Sequence, residues 1–273
     1  MNRIAQLAAH PPPVDQPVCL YGSADHSVYW VGSAEPSPFR CNAYLVIDGD
    51  HAILLDPGSS SHHFEQVRDR VATLIDPKQV THIVAHHQDA DVISSLSDWL
   101  ALNPDIIVVT TPRTRVLLPY FGLPPEVNWL DVSPNDNTVL ELPSGKVLAF
   151  FTAPFLHFPE ACVTFDEASG FLFTGDVGAA IEKDWSLVVT DWEKHWRTMV
   201  PFHVFYMANN RALRGFVEKM RPFPIKALLP QHGSVIGEDN VKNALDALST
   251  LPCGIDLLYP EGNLESALKN LLR

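Results

Sequence analysis

His87-Gln88-Asp89-Ala90-Asp91 follows the apolar run Ile83-Val84-Ala85 and precedes Ile93-Ser94-Ser95-Leu96-Ser97-Asp98-Trp99-Leu100. The first flank reads as a buried strand, and the spacing of the second predicts a helix over 93–102. Three potential metal ligands therefore stand at alternate positions where a strand gives way to a helix. In an extended segment residues i, i+2 and i+4 point to one side. An imidazole and two carboxylates then converge on one small volume, which is costly unless a cation neutralises it. A register using His86 with Gln88 leaves Asp91 out of step, so His87 is preferred.

Three later segments carry complementary groups. They are Ala153-Pro154-Phe155-Leu156-His157-Phe158-Pro159, Phe171-Leu172-Phe173-Thr174-Gly175-Asp176 and Ala227-Leu228-Leu229-Pro230-Gln231-His232-Gly233. In each, the polar candidate closes an apolar run and is followed by Pro, Gly or a loop. One such His or Asp is what a hydrogen-bonded structural residue would look like. Four such sites in one chain read as a metal centre.

Taken in order, His-x-acid-x-Asp, His, Asp and His-Gly resemble the metallo-β-lactamase fold and, within it, the di-iron domain of flavodiiron proteins. Asn42-Ala43-Tyr44-Leu45-Val46 before Leu54-Leu55-Asp56, Leu156-His157-Phe158-Pro159-Glu160 and Leu172-Phe173-Thr174-Gly175-Asp176 match as well. The resemblance covers the chain from Val28 to beyond His232. It implies an α/β fold, an αββα sandwich with the site at the rim between two sheets. It also implies that His87, Asp89 and His157 hold one metal, Asp91 and His232 the other, and Asp176 bridges them. Asp56 would orient a ligand, although a turn cap explains it equally well, and Tyr206 falls where aromatic residues line the distal pocket.

The departures from that pattern shape the functional expectation. Asp89 replaces the usual Glu but keeps a hard oxygen donor where hydrolytic relatives have a second His, which tilts the metal from zinc towards iron. Val92 stands where His is common and cannot ligate, so the second metal keeps open positions. Two Fe(II) ions and three carboxylates sum to +1, a count compatible with an iron pair that meets a small exogenous ligand. Trp30-Val31-Gly32 lies close before Asn42, so a loop over the site looks shortened. About forty residues follow His232, too few for a flavodoxin domain, so no flavin is expected in this chain.

Composition limits the alternatives. The 273 residues are 46% hydrophobic and 19% charged, as in a globular protein with a sizeable core. A net charge of −13 argues against nucleic acid. No apolar run is long enough for a transmembrane helix, and the polar start 1–10 does not read as a signal peptide, so no membrane and a cytoplasmic location are expected. Cys19, Cys41, Cys162 and Cys253 have no C-x-x-C spacing, so they form no rubredoxin-like or zinc-ribbon site by local spacing, and they read as buried apolar residues rather than as disulfides.

Two regions are expected: a Pro-rich irregular arm over 1–20 and a metallo-β-lactamase-like di-iron domain over 21–273. A hairpin is predicted over 18–31, strands over 42–47 and 51–56 about Asp48-Gly49-Asp50, and a helix over 59–75. Strands follow at 82–86 and 106–110 with a helix over 112–120, then strands at 138–142, 146–152, 161–166, 171–175 and 227–230. Helical spacing over 192–220 is interrupted near Pro201, and a last helix is read over 264–272. His62-His63 reads as an exposed helix start, His195 and His203 as exposed or capping, and Glu160 and Asp166 as solvated. His86 is placed on the far side of its strand from the ligands.

The function expected first is a non-haem di-iron protein that binds dioxygen, a sensing or carrier-like module with two Fe ions. An oxygen or nitric oxide reductase fed by a separate electron donor is the first alternative. A zinc-dependent hydrolase is the second. A signalling partner and a homodimer are further expectations. No catalytic residue is assigned, since no Ser-His-Asp or Cys-His arrangement has local support.

Overall fold

Gly49 adopts a φ of 57° in the turn Asp48-Gly49-Asp50, and the hairpin it closes pairs strand β3 (Tyr44–Asp48) with β4 (His51–Leu55). A left-handed residue at such a turn favours glycine, which has no Cβ to clash. The computed structural model describes residues 2–33, 37–38, 40–60 and 63–259. Around the hairpin a seven-stranded sheet runs in chain order from β1 (Val18–Gly22) and β2 (His26–Trp30) to β5 (His82–Val84), β6 (Ile107–Thr110) and β7 (Asn128–Asp131). The second sheet has six strands. It comprises β8 (Thr138–Glu141), β9 (Val147–Thr152), β10 (Cys162–Asp166), β11 (Phe171–Gly175), β12 (Ala227–Pro230) and β13 (Ile236–Gly237), in the spatial order β13-β12-β11-β10-β9-β8.

The strands read as unbroken apolar runs because both faces of each sheet are covered. Tyr44, Val46, Ile53 and Leu55 face Phe150, Phe171, Phe173 and Leu229 in the core between the sheets. Their neighbours Leu45 and Leu54 pack outward with Val67, Val71 and Trp99 from helices α2 (Phe64–Ala72) and α4 (Leu96–Leu102). On the other side Leu172 and Leu228 meet Phe202, Leu213, Phe216 and Leu245 from α6 (Trp192–Tyr206), α7 (Asn210–Met220) and α8 (Glu238–Thr250). The layers are αββα, as expected.

Several elements differ from the sequence reading. The Pro-rich start is not irregular throughout: α1 (Arg3–Ala9) is capped by the Asn2 side chain, which accepts from Ala5 N–H at 2.8 Å, and buries Ile4 and Leu7 in the inter-sheet core. The helix predicted over 93–102 is two pieces, α3 (Ala90–Ile93) and α4, parted at Ser94-Ser95. Helix α6 runs through Pro201, whose missing N–H takes the helical donor from the Arg197 carbonyl, and the neighbouring Thr198 carbonyl accepts from Ile181 N–H at 3.2 Å. The break falls at 207–209, where Asn209 caps α7. Strand β7 and helix α8 were not predicted, although Val241, Leu245 and Leu248 have helical spacing. His63 is buried and hydrogen-bonded to Ser59, not exposed; His62 and the helix read over 264–272 lie outside the described residues, as do 34–36 and 39 of the shortened loop.

Asp166 is not solvated. It closes β10 at the end of the sandwich opposite the candidate ligands and is wholly buried against His26. His26 bridges the sheets, with Nδ1 2.7 Å from Asp48 Oδ2 and Nε2 2.9 Å from Asp166 Oδ2. Ser144 donates to Asp48 from N–H at 2.8 Å and from its hydroxyl at 2.6 Å, and Ser169 donates its hydroxyl to Asp166. Burial alone would lower the His26 pKa, but the hydrogen bonds and charges of Asp166 and Asp48 outweigh it and raise the pKa above 6.5. The stability His26 contributes is therefore complete below about pH 6.5 and is lost as pH rises through the folded-state value. His26→Leu, which leaves two buried carboxylates uncompensated, is expected to cost about 3–5 kcal/mol in urea unfolding near pH 6. The difference between native protein and variant should shrink as the pH is raised; a constant difference would contradict this account.

Candidate metal centre

The candidate ligands gather where β5, β11 and β12 end, together with the loop between β9 and β10. His87 Nε2 lies 3.7 Å from Asp89 Oδ2 and 3.3 Å from Asp176 Oδ2. His157 Nε2 is 3.1 Å from each of the same two oxygens. His232 Nε2 stands 3.4 Å from Asp91 Oδ2 and 3.6 Å from Asp176 Oδ1. All six residues predicted from sequence are thus brought together, in two groups that meet at Asp176. Donors held ~2.1 Å from one metal at near-tetrahedral to octahedral angles lie ~3.0–3.5 Å apart, so most of these spacings fit ligands sharing an ion.

Asp176 turns Oδ2 to the group of His87, Asp89 and His157, and Oδ1 to the group of Asp91 and His232. It is 3% exposed, and among the described residues no donor reaches Oδ1. A buried carboxylate oxygen without a donor needs a cation or a water. Burial would raise the Asp176 pKa, but the imidazoles of His87, His157 and His232 hold the carboxyl far below the ordinary carboxylate range. Burial likewise opposes charge on His157, yet its hydrogen bonds to Asp176 and Asp89 raise it to about 10. Without metal, the charged form of His157 is favoured at neutral pH, and its single positive charge offsets part of the negative charge of Asp89 and Asp176.

The opening motif works differently from its sequence reading. It is not one extended segment: β5 stops at Val84, the chain bends at His86-His87, and Asp89 is the extended N-cap of α3, with Asp91 in the first turn. The helix start rotates Asp91 away from Asp89, which is why the two carboxylates serve different groups. His86 does not enter the site. Its Nδ1 donates to Asp56 Oδ2 at 2.5 Å, Nε2 meets Thr164 Oγ1 at 2.8 Å, and its N–H donates to Asp56 Oδ1 at 3.1 Å. Asp56 therefore fixes the residue beside the candidate ligand His87 rather than a candidate ligand itself.

The Asn42-Ala43-Tyr44 segment buttresses His232. Asn42 Nδ2 donates to the carbonyls of Pro230 and Gly233 at 2.8 and 2.9 Å, its Oδ1 accepts from Trp30 Nε1 at 2.8 Å, and the Tyr44 hydroxyl donates to Pro230 O at 2.8 Å. His232 Nδ1 donates to Arg40 O at 3.0 Å, which leaves Nε2 for the site. Gly233 has a φ of 85°, and a Cβ there would lie 2.7 Å from that of Ala180. His203 and His195 are buried positioning groups, neither exposed nor ligating. His203 Nε2 accepts from Gly178 N–H at 3.0 Å, with burial lowering its pKa to about 4, and His195 Nδ1 pairs with Glu182 at 2.8 Å. The Tyr206 ring stands 5.8 Å from that of His157.

One residue of the site was missed. Cys41 was read as an apolar filler, yet its Sγ lies 3.7 Å from Asp91 Oδ2 and 3.8 Å from His232 Nδ1. No local motif signals it, because an isolated bridge pairing Cys41 with His232 brings it there. Val92, the missing ligand, is fully buried among Val31, Ala43 and Ile93.

An αββα sandwich with two groups of metal-type donors on its rim defines a metallo-β-lactamase-fold protein. The chain belongs to the ODP family beta lactamase, which it matches over residues 39–233. It is similar to the solved structure of the chemotaxis sensor ODP in a "peroxy diiron species", with a TM-score of 0.79 and 30% identity over 94% of this chain and 99% of the other. The apo sensor from T. denticola superposes with a TM-score of 0.77 at 31% identity, also over 94% of this chain and 99% of that one. A flavodiiron protein from Giardia intestinalis shares the fold, with a TM-score of 0.73 at 20% identity over 81% of this chain and 56% of the other. Diflavin flavoprotein A 1 from Synechocystis is 36% identical over 137 residues, half of this chain and 23% of that relative's length.

Two outcomes are expected. Asn42→Ala should weaken metal binding by about 10–100-fold at the His232 group, as loss of a ligand's supporting hydrogen bonds does; competitive chelator titration reads this, and unchanged affinity would contradict the buttress. Metal uptake at pH 7 should release a proton from His157. Calorimetry in buffers of different ionisation enthalpy measures that proton, and His157→Ala should remove its share.

Proposed function

We propose that the chain is a non-haem di-iron protein that binds dioxygen and serves as a sensing module. His87, Asp89 and His157 would hold one iron, Asp91 and His232 the other, and Asp176 would bridge them. The observation that carries the reading is the Asp176 carboxylate, buried and divided between the two groups, with no hydrogen-bond donor to Oδ1 among the described residues. Three carboxylates and three imidazoles form a mixed, oxygen-rich donor set that suits Fe(II). When bound, the iron pair supplies the electrons and open coordination positions that dioxygen requires. The protein's part is to hold the donors in place, to keep His157 Nε2 aimed inward beside Tyr206, and to limit water around the buried Asp176.

Likeness to the chemotaxis sensor ODP along nearly the whole chain supports sensing over turnover, with a signalling protein as the partner that receives the output. The four free cysteines suit a reducing cytoplasmic setting, and no described helix is long and apolar enough to cross a membrane.

Protein purified without oxygen is expected to contain about two Fe per chain by elemental analysis, and exposure to dioxygen should produce a lasting change in its absorption spectrum. Zinc as the sole metal after growth in iron-replete medium, or no spectral change with oxygen, would overturn the proposal. Rapid turnover with a reduced flavoprotein or rubredoxin donor, well above autoxidation, would move it to an oxygen or nitric oxide reductase. Asp176→Asn, which keeps the shape but loses the bridging charge, is expected to retain at most one metal per chain.

A further inference from the structure

The group that faces Asp176 Oδ1 has a donor more than the ligand pattern predicts. Sγ of Cys41 and donor atoms of Asp91 and His232 all lie within 4.8 Å of one another. Cys41 and His232 are 3% and 1% exposed, so water competes little for the space between them. The independent sign of a ligand here is Asp176 Oδ1, buried, without a hydrogen bond among the described residues, and 3.6 Å from His232 Nε2 of the same group. Cys41 is held by the backbone bridge to His232, and the neighbouring Asn42 N–H donates to Gln231 O at 2.6 Å. The sulfur and the imidazole are therefore carried by two backbone segments paired by a β-bridge and cannot drift apart independently.

We propose that Cys41 is a thiolate ligand of the second metal, beside Asp91, His232 and the bridging Asp176. This rests on the dinuclear reading of the site and adds to it a donor that the ligand pattern does not contain. On binding, the Sγ proton leaves to solvent and a metal–sulfur bond forms, with no change of oxidation state. The two metal positions then differ in kind: the His87 group offers only nitrogen and oxygen, whereas the His232 group adds a soft, strongly electron-donating sulfur. Cys41 also supplies a protein donor in the group where Val92 supplies none. The sulfur makes this position prefer a thiophilic dication and gives it an electronic asymmetry that an all-N/O pair lacks.

The full chain loaded with Co(II) alone, and separately with Fe(II) without oxygen, tests this. X-ray absorption should show one sulfur scatterer at about 2.3 Å per pair of metals, a distance typical of a metal–thiolate bond. Co(II) loading should produce a thiolate-to-metal charge-transfer band with one of the two equivalents only. Cys41→Ser and Cys41→Ala should both lose the sulfur scatterer and the band, and should bind that equivalent at least about tenfold more weakly. The other equivalent should be unchanged, and thermal unfolding of the metal-free variants verifies that they fold. Cys19, Cys162 and Cys253 remain in each variant as internal controls. Two metals bound with only nitrogen and oxygen scatterers would overturn the proposal while leaving the dinuclear centre intact. So would weaker binding without any sulfur signal, since that describes an S–H donor to Asp91. Failure to bind any second metal would overturn both.

Discussion

Burying a carboxylate between two clusters of imidazoles and carboxylates is the constraint around which this fold is arranged. Asp176 sits at the end of β11, where Gly175 takes a positive φ and leaves the sheet plane. A Cβ at Gly175 would come within 3.3 Å of His86, so glycine lets Asp176 approach the His86-His87 bend. Gln231 N–H donates to Gly175 O at 2.8 Å, tying the strand end that carries Asp176 to the one that leads to His232. On the far side His203 accepts from Gly178 and holds the chain as it departs. The carboxylate cannot move to water, and three imidazoles are kept within reach of it. Such a site is stable only when its excess negative charge is offset, in part by the charged form of His157 when metal-free, or by cations when loaded.

The rim location follows from topology. β4 with β5, and β11 with β12, pair in parallel, so their C-terminal ends open at the same edge of the sandwich. Ligands in α/β architectures gather at such carboxyl ends, where loops can bring side chains from distant segments together. At the opposite edge His26 with Asp48 and Asp166 closes the two sheets by a buried ion network. One end of the sandwich is locked by internal charge pairs, and the other leaves its charges to be completed by metal.

Much of this was legible because the strands carry their burial in their spelling. Phe171-Leu172-Phe173 and Ile53-Leu54-Leu55 read as strands covered on both faces, and they are. The ligand candidates ended such runs and so could be picked out. Other features had no local signal. The pairing of His26 with Asp166 spans 140 positions, and a polar residue at a strand end looks the same whether solvated or clamped. Helix α8 had the helical spacing of Val241, Leu245 and Leu248, a signal available but overlooked. Pro201 reads as a breaker, yet packing of Met199 and Phe202 holds the helix through it.

By itself the sequence determined the αββα architecture and the six candidate ligands, because periodicity of burial and the chemistry of residues at strand ends are local properties of the chain. The division of those ligands was implied by the family resemblance, but only the tertiary structure supplies its physical cause. The start of α3 turns Asp91 away from Asp89, and the two oxygens of Asp176 point to separate groups. It also decided that Cys41 belongs beside Asp91 and His232. That juxtaposition depends on backbone pairing between segments 191 residues apart, and no spacing within either segment encodes it.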